Sequence, residues 1–207
     1  MLEVFAPEGT WFTPSVQGIW VPAGTMPHWQ VHGNATVYIV DIPLKHKIST
    51  QQTPTLVEVQ PLLKEILKSY LQNRGLNRAV EDRLLRVLVD EIKISSKTST
   101  MVPVLHDERL QQVQDIVESD LTKTWTLTQL GETIGVSDRT LSRLFNQQVG
   151  ASYITWRHQV RLHQATTMLA QGDTVKNVAA ACGYPSASAF IAAFRNTFGR
   201  TPDSLYI

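Results

Sequence analysis

The spacing of apolar positions divides the chain into stretches of different predicted structure. Up to about residue 43, short runs of Val, Ile, Trp and Phe alternate with proline and glycine, a pattern typical of strands and turns. We predict strands in GIWVPAG (18–24) and TVYIVDIPL (36–44), each stopped by a proline, which has no N–H to donate to a neighbouring strand. So few strands seldom fold alone. This β region, residues 1–54, must therefore pack on the helices that follow or belong to a larger β structure.

Residues 55–94 have the apolar spacing of amphipathic helices. Asn73-Arg74-Gly75 suits a helix stop and a turn, so the segment is predicted to form a helical hairpin. Its two apolar stripes can pack on the strands or on a second copy of the chain, and both alternatives stay open. The stripes contain Val59, Leu62, Leu63, Ile66, Leu67, Tyr70 and Leu71, followed by Val80, Leu84, Leu85, Leu88, Val89 and Ile92.

A polar segment without periodicity, SSKTSTMVP, predicts a linker at residues 95–104. From Arg109 onward the pattern is helical to the end of the chain. The fold class is therefore predicted to be mainly α, with an all-α C-terminal domain at residues 105–207 preceded by the small β region and the helical hairpin.

The segment TLTQLGETIGVSDRTLSRLF (126–145) has the pattern of a helix-turn-helix. Gly131 is small enough for the second helix to cross closely, and Gly135 supplies the positive φ that the turn needs. Ser137 is expected to cap the second helix. The side chains predicted to face inward are Leu127, Leu130, Ile134, Leu141, Leu144 and Phe145.

The inward positions leave Arg139, Ser142 and Arg143 on the exposed face of the second helix. Arginine suits the paired acceptors of guanine in the major groove, and its charge also suits phosphate. We therefore interpret these three residues as a face that reads DNA. A plain helical hairpin with surface arginines is the alternative for a single match of this kind.

The same pattern recurs about fifty residues later, in VKNVAAACGYPSASAFIAAFRNTF (175–198), which makes a chance match improbable. The stretch between the copies, SYITWRHQVRLHQATTMLAQG (152–172), predicts one continuous helix. Roughly 20 helical residues span about 30 Å, close to the 34 Å or so between successive major-groove faces on one side of a duplex. Val178, Ala179, Cys182 and Gly183 take the places of Leu130, Gly131, Ile134 and Gly135, and Phe190 and Phe194 match Leu141 and Phe145 after a turn one residue longer.

From about His106 to Tyr206 the chain resembles the AraC/XylS family of bacterial transcription regulators. The resemblance is carried by the double helix-turn-helix, by Arg157 and Arg161 of the connecting helix, and by the closing GRTPDSLY. It implies that Arg139, Ser142 and Arg143 hold the base-contacting positions of the first copy. The closing pattern includes Phe198, Gly199, Thr201 and Pro202.

The second copy departs from a base-reading pattern. By the resemblance its exposed positions are Ser188, Ile191 and Ala192, which offer few hydrogen-bonding groups. We expect thymine-methyl contacts, groove fit and phosphate contacts by Lys176 and Arg195, with weak direct readout of bases.

The segment GIWVPAGTMPHW (18–29) resembles the latter half of the cupin-type barrel that many members of this family use to sense small molecules. The front half of such a barrel is missing, so the chain is expected to start late and to lack a complete effector pocket. His28 and His32 match metal-binding histidines of cupins in type, but the other ligands are absent. We interpret both as surface or pocket-lining residues, and predict no metal and no cofactor.

The net charge of the whole chain is only +1, so total charge does not indicate DNA binding. The positions of the basic residues along the chain do agree with it. Apolar content of 43% without a run long enough to span a membrane, and an N-terminus without a signal pattern, predict a cytoplasmic protein. From Arg139 on, the basic residues are Arg139, Arg143, Arg157, Arg161, Lys176, Arg195 and Arg200, against Asp173 and Asp203.

Two other functions are weighed against DNA-dependent regulation. A cupin-derived metal enzyme or small-molecule-binding protein with an accessory DNA-binding domain lacks the ligands and a catalytic constellation. A DNA-repair methyl acceptor needs a reactive cysteine, whereas Cys182, the single cysteine, holds a position expected to be buried. We predict a non-enzymatic regulator whose partners are double-stranded promoter DNA, RNA polymerase and, through the hairpin, a second copy of the chain.

Overall fold

The computed structural model describes residues 1–13, 17–43, 53–73, 75, 77–95, 97–98 and 101–205. Leu44, His46 and Tyr206 lie outside the described residues. The first half of the described chain contains short strands, and the second half is helical. The strands are β1 (Leu2–Ala6), β2 (Gly9–Thr13), β3 (Gln17–Trp20), β4 (His28–Val31), β5 (Thr55–Glu58), β6 (Lys97–Thr98) and β7 (Met101–Pro103).

These strands form two antiparallel sheets, with orders β4-β1-β2-β7 and β3-β5-β6. Val4 and Trp11 pair across β1 and β2, and both side chains are buried. Large apolar partners on one face stabilise a sheet through cross-strand packing. The described strands do not close into a barrel, so the cupin-like interpretation is not confirmed.

Two local predictions in this half are wrong. Residues 36–43 of the predicted strand TVYIVDIPL have no ladder partner among the described strands, and Tyr38 and Ile39 are 62% and 58% exposed. The predicted linker contains β6 and β7, which return to pair with β5 and β2. The unpaired edges of the two sheets offer hydrogen-bonding partners to this polar segment, and its composition alone does not reveal them. The division into domains stays a prediction.

The helical hairpin consists of α1 (Pro61–Gln72) and α2 (Arg78–Ile94). Asn73 caps the end of α1, and the side chain of Asn77 accepts hydrogen bonds from two backbone N–H groups at the start of α2. The apolar stripes are confirmed except at Leu62, which is 57% exposed. Leu63, Ile66 and Leu88 pack with Val57 of β5, so the hairpin packs on the strands.

The C-terminal half is all helical, as predicted, and contains two apolar cores. The first core includes Leu130, Leu141 and Trp156, and the second includes Cys182 and Phe190. None of the helices in the described part of the chain combines the length and apolarity that a bilayer crossing requires. The helices are α3 (Glu108–Ser119), α4 (Leu127–Ile134), α5 (Asp138–Leu144), α6 (Tyr153–Ala170), α7 (Val175–Ala181) and α8 (Ala187–Phe198), with a π-helical turn at Phe145–Val149 and a 3-10 turn at Pro202–Leu205.

The connecting helix α6 contributes to both cores, with Trp156 and Val160 in the first and Leu162 and Leu169 in the second. Its continuity is confirmed, and its 18 residues span about 27 Å. Ile154, in the first turn of α6, is 77% exposed.

Candidate nucleic-acid interface

Helices α4 and α5 form the first helix-turn-helix unit. Thr126 and Gln129 make a capping box at the start of α4, and each side chain bonds the other residue's backbone N–H. Gly135 ends α4 with φ of 72°, and the hydroxyl of Ser137 accepts a hydrogen bond from the backbone of Thr140 at 3.2 Å. The predicted turn glycine and the predicted cap are both confirmed.

Position 131 has no room for a side chain because it lies against the turn, not because it lies against the body of the second helix. A Cβ atom at this position would overlap the carbonyl oxygen of Val136 and lie 3.4 Å from the backbone nitrogen of Asp138. The N–H of Val136 in turn donates to the carbonyl of Gly131 at 2.8 Å. The expected close crossing therefore takes the form of backbone packed on backbone.

Helix α5 turns three polar side chains to solvent, as predicted: Arg139, Ser142 and Arg143. Leu141 and Leu144 hold the opposite face in the first core. Since the apolar side fixes the rotation of the helix, the arginines are presented outward without burial of their charge.

A fourth exposed group that was not predicted from the sequence lies next to these three. The π-helical turn continues α5, and Nη1 of Arg143 donates to Oε1 of Gln147 at 3.1 Å. Arg139, Arg143 and Gln147 are spaced by four residues, which places them on one helical face. That spacing is the sequence signal that could have identified Gln147.

Helices α7 and α8 form the second helix-turn-helix unit. Gly183 has φ of 70°, and the hydroxyl of Ser186 accepts a hydrogen bond from the first turn of α8. On α8, Ser188 and Ala192 are exposed, but Ile191 is half-buried. The prediction of an exposed Ile191 is therefore only partly correct, because Ile191 lies three residues before the buried Phe194 and borders the same inward face.

Lys176 and Arg195, the two cations expected to contact phosphate, are both exposed. Lys176 lies in the first turn of α7 and Arg195 in the last turn of α8. Neither lies on the Ser188–Ala192 segment of α8. In the second unit, the exposed cations therefore lie apart from the exposed small side chains of α8.

The arginines of α6 face the protein rather than solvent. Nη2 of Arg157 donates to the carbonyls of Leu121 and Lys123, at 3.2 and 2.8 Å. Nε of Arg161 donates to the carbonyl of Cys182, and its guanidinium lies 4.0 Å from the centroid of the Tyr184 ring. Part of the basic tail counted in the sequence thus has an internal role.

Arg200 is also engaged within the protein, where Nη2 lies 2.9 Å from Oε1 of Glu58. In the described part of the chain from Arg139 on, the arginines and lysines that stay exposed are Arg139, Arg143, Lys176 and Arg195. From Arg139 on, the positive charge available to a polyanion is therefore concentrated on the two helix-turn-helix units.

The thiol of Cys182 is buried in the second core, at the apolar position where it was predicted. Burial raises its pKa to about 11. A thiol that is both buried and protonated is a poor nucleophile. This environment argues against the methyl-acceptor alternative.

His28 and His32 do not converge on one site. His28 is exposed on β4, whereas Nε2 of His32 lies 2.6 Å from Oε2 of Glu3. Among the described residues, no group of three His, Cys, Asp or Glu side chains is arranged to hold a metal ion.

Comparison with known proteins gives matches in the helical half and beyond. A model described as "Helix-turn-helix domain" matches residues 130–205. The HTH-type transcriptional regulator NimR of Escherichia coli is 29% identical over 195 residues, which cover 93% of this chain and 71% of NimR. The chain spans smaller shares of other curated relatives, from 22% to 53% of their length.

Comparison with solved structures gives matches to DNA-binding domains. A transcriptional regulator with an AraC-type DNA-binding domain from Chromobacterium violaceum is 28% identical and covers 47% of this chain and 88% of its own, with a TM-score of 0.45. The DNA-binding domain of AdpA, solved in complex with a target DNA, is 27% identical, with 47% and 88% coverage and a TM-score of 0.42.

Proposed function

We propose that this chain, a DNA-binding transcription regulator of the AraC/XylS type, reads bases in promoter DNA with its first unit, while the second unit mainly adds affinity. The observation that carries this division is the different chemistry of the two exposed helix faces. Helix α5 presents Arg139, Ser142 and Arg143, whereas α8 presents Ser188, the half-buried Ile191 and Ala192.

Base reading by α5 is supported by the hydrogen-bonding capacity of its face. An arginine can donate two parallel hydrogen bonds to O6 and N7 of guanine, and each good pair of this kind is worth about 1–3 kcal/mol against the wrong base. Serine can serve either as donor or as acceptor. The bond from Arg143 to Gln147 supports an outward orientation of that guanidinium.

The role of the second unit is supported by the positions of Lys176 and Arg195 at its margins. Phosphate contacts fix register and add affinity without selecting sequence. The small side chains of α8 allow close approach to the groove, where Ile191 and Ala192 can contact thymine methyl groups. We therefore expect this unit to tolerate many sequences.

Salt dependence separates the two roles. Each lost phosphate contact flattens the slope of log K against log salt by about 0.9. On a duplex recovered by selection from random DNA, Lys176→Ala with Arg195→Ala should flatten the slope and weaken binding to all sequences alike. Arg139→Ala with Arg143→Ala should instead erase the preference for the selected duplex. The opposite pattern would overturn the assignment.

We extend the proposal to protein partners. A promoter-bound regulator acts on transcription through RNA polymerase, so we expect contact with that enzyme in the cytoplasm.

A second copy of the chain is the other partner that we propose. The exposed Leu62 and Val87 on the hairpin support a homodimer. Equilibrium sedimentation should show a dimer that Leu62→Glu with Val87→Glu converts to monomer, and a monomeric native protein would contradict this part.

A further inference from the structure

The turn glycines of the two units have the same backbone conformation but different surroundings. Gly135 and Gly183 have φ of 72° and 70°. A Cβ atom on Gly135 would meet nothing within 4 Å, whereas one on Gly183 would lie 2.6 Å from the carbonyl oxygen of Leu121 and 2.8 Å from Cα of Thr122. The turn of the second unit therefore packs directly on the loop between α3 and α4.

That loop belongs to the first unit by its packing. The side chain of Leu121 is buried in the first core, together with Leu130 and Leu141. The contact with Gly183 is thus a direct junction between the two units, additional to their connection through α6.

Both sides of this junction are held by arginines one helical turn apart on α6. Arg157 donates to the carbonyls of Leu121 and Lys123, on the side of the first unit. Arg161 donates to the carbonyl of Cys182, directly before Gly183, on the side of the second unit. Hydrogen bonds from charged donors to carbonyls are stronger than neutral ones, and those to Leu121 and Cys182 are partly shielded from water.

We infer that Gly183, Arg157 and Arg161 form an inter-unit lock that holds the two helix-turn-helix units at a fixed separation and angle. The consequence for recognition is that the protein selects DNA by the spacing between two half-sites as well as by base sequence. This consequence rests on the proposed function, in which both units bind one duplex. The lock itself is a property of the protein without DNA.

The lock is tested first without DNA. Nitroxide labels at Glu132→Cys on α4 and Asn177→Cys on α7, both exposed positions, report the distance between the units by double electron–electron resonance. The native Cys182 is buried, with its pKa raised to about 11, so the label reacts with the introduced cysteines. The full-length native protein should give one narrow distance distribution.

Gly183→Ala and Gly135→Ala are matched variants, because both place a Cβ on a residue with positive φ. Only Gly183→Ala also pushes the second unit away from Leu121. It should shift or broaden the label distance, and Gly135→Ala should leave the distance unchanged at the same fraction of folded protein. Equal distributions in both variants and the native protein would overturn the lock.

Arg157→Met and Arg157→Lys keep the test decisive if Gly183→Ala does not fold. Methionine cannot donate to Leu121 and Lys123, so the distance distribution should broaden, whereas lysine retains a donor and should restore part of the native narrowness. A native distribution in folded Arg157→Met would likewise refute the lock.

Binding to duplexes with different distances between the half-sites tests whether the lock selects DNA by spacing. Native protein should bind a selected duplex severalfold better than duplexes with one base pair inserted or removed between the half-sites, and Arg157→Met should reduce that preference. If only one half-site is ever selected, the proposed two-unit binding fails while the label distances still decide the lock. If spacing preference is unchanged in a variant with broadened distances, the lock does not set spacing.

Discussion

The arginines of the C-terminal half act in two physical environments. Arg139 and Arg143 extend into solvent, where a guanidinium keeps its donors available for a ligand. Arg157 and Arg161 donate hydrogen bonds to backbone carbonyls within the protein. The same residue type is thus exposed on α5, where we propose that it reads DNA, and serves internal structure on α6.

The first prediction concerns Arg143. If its guanidinium reads a base edge, Arg143→Ala should weaken binding to the selected duplex by about 1–3 kcal/mol and weaken binding to random DNA much less. Arg86→Ala, which removes the same charge from the exposed side of α2, is the matched control and should affect neither. Fluorescence anisotropy at constant salt measures both affinities, and equal losses on the two duplexes would assign Arg143 to phosphate.

The exposure of Arg139 and Arg143 could be predicted because the period of the buried leucines fixes which side of α5 faces solvent. The inward roles of Arg157 and Arg161 could not. They depend on carbonyls of Leu121 and Cys182, which are 36 and 21 residues away in the sequence. A pattern of side-chain types carries no information about such backbone acceptors.

At the scale of secondary-structure elements, the two units differ in turn length, and this difference determines whether a side chain fits at the position that faces the turn. Gly131 and Ala179 occupy equivalent positions, and each carbonyl accepts the N–H of the residue five positions later. The second turn is one residue longer, and there a methyl group is accommodated and buried. In the shorter first turn the carbonyl of Val136 occupies that space.

We therefore predict that Gly131→Ala destabilises the first unit, although alanine favours a helix more than glycine does, and that Ala179→Gly destabilises the second unit by a similar amount. Overpacking of a tight site costs about 1–3 kcal/mol, and loss of one buried methyl group costs about 0.8 kcal/mol plus the helical cost of glycine. Denaturant unfolding of each variant measures the loss of stability. A Gly131→Ala protein that is as stable as the native one would show that the turn relaxes freely.

The elements of the helical half could be predicted almost completely, since caps, turn glycines and apolar period agree there. The β half could not. Residues 36–43 have strand-like composition but no partner, and 97–98 and 101–103 have linker-like composition but pair with β5 and β2. Whether a segment forms a strand depends on a partner strand that is distant in the sequence, and the local pattern of residues carries no information about that partner.

At the scale of the whole molecule, the β region contacts the helix that joins the two DNA-binding units. The ring of His163 on α6 stacks on Phe12 of β2, with centroids 3.4 Å apart. Glu3 of β1, with a side chain 9% exposed, lies 2.6 Å from Nε2 of His32 and 3.5 Å from Nε2 of His163. The contact of α6 with the strands therefore includes a shielded carboxylate between two imidazoles.

This contact predicts a pH dependence of stability. Burial raises the pKa of Glu3, but hydrogen bonds and charge interactions with His163 and His32 outweigh it, and the net pKa is lowered. A lowered folded-state pKa stabilises the protein above the ordinary glutamate value of about 4.3. The stabilisation is lost as pH falls below that value and the carboxylate is protonated.

Urea unfolding between pH 7 and pH 3 measures this dependence. Glu3→Gln should lower the free energy of unfolding at neutral pH and flatten its fall in acid. Glu8→Gln, at an exposed position two residues past β1, should retain the native profile. A Glu3→Gln profile parallel to that of the native protein would mean that this carboxylate makes no contribution through its histidine partners.

The central claim is that base discrimination is concentrated under the first helix-turn-helix unit. The most direct measurement is selection from two duplex libraries, each randomised in only one half-site of a bound duplex, with the bound sequences read out in depth. We predict strong base preferences in the half-site under α5 and shallow ones under α8, because the hydrogen-bonding donors are on α5. The strongest preferences under α8 would contradict the claim, and DNA shape or apolar thymine contacts would then have to carry the specificity.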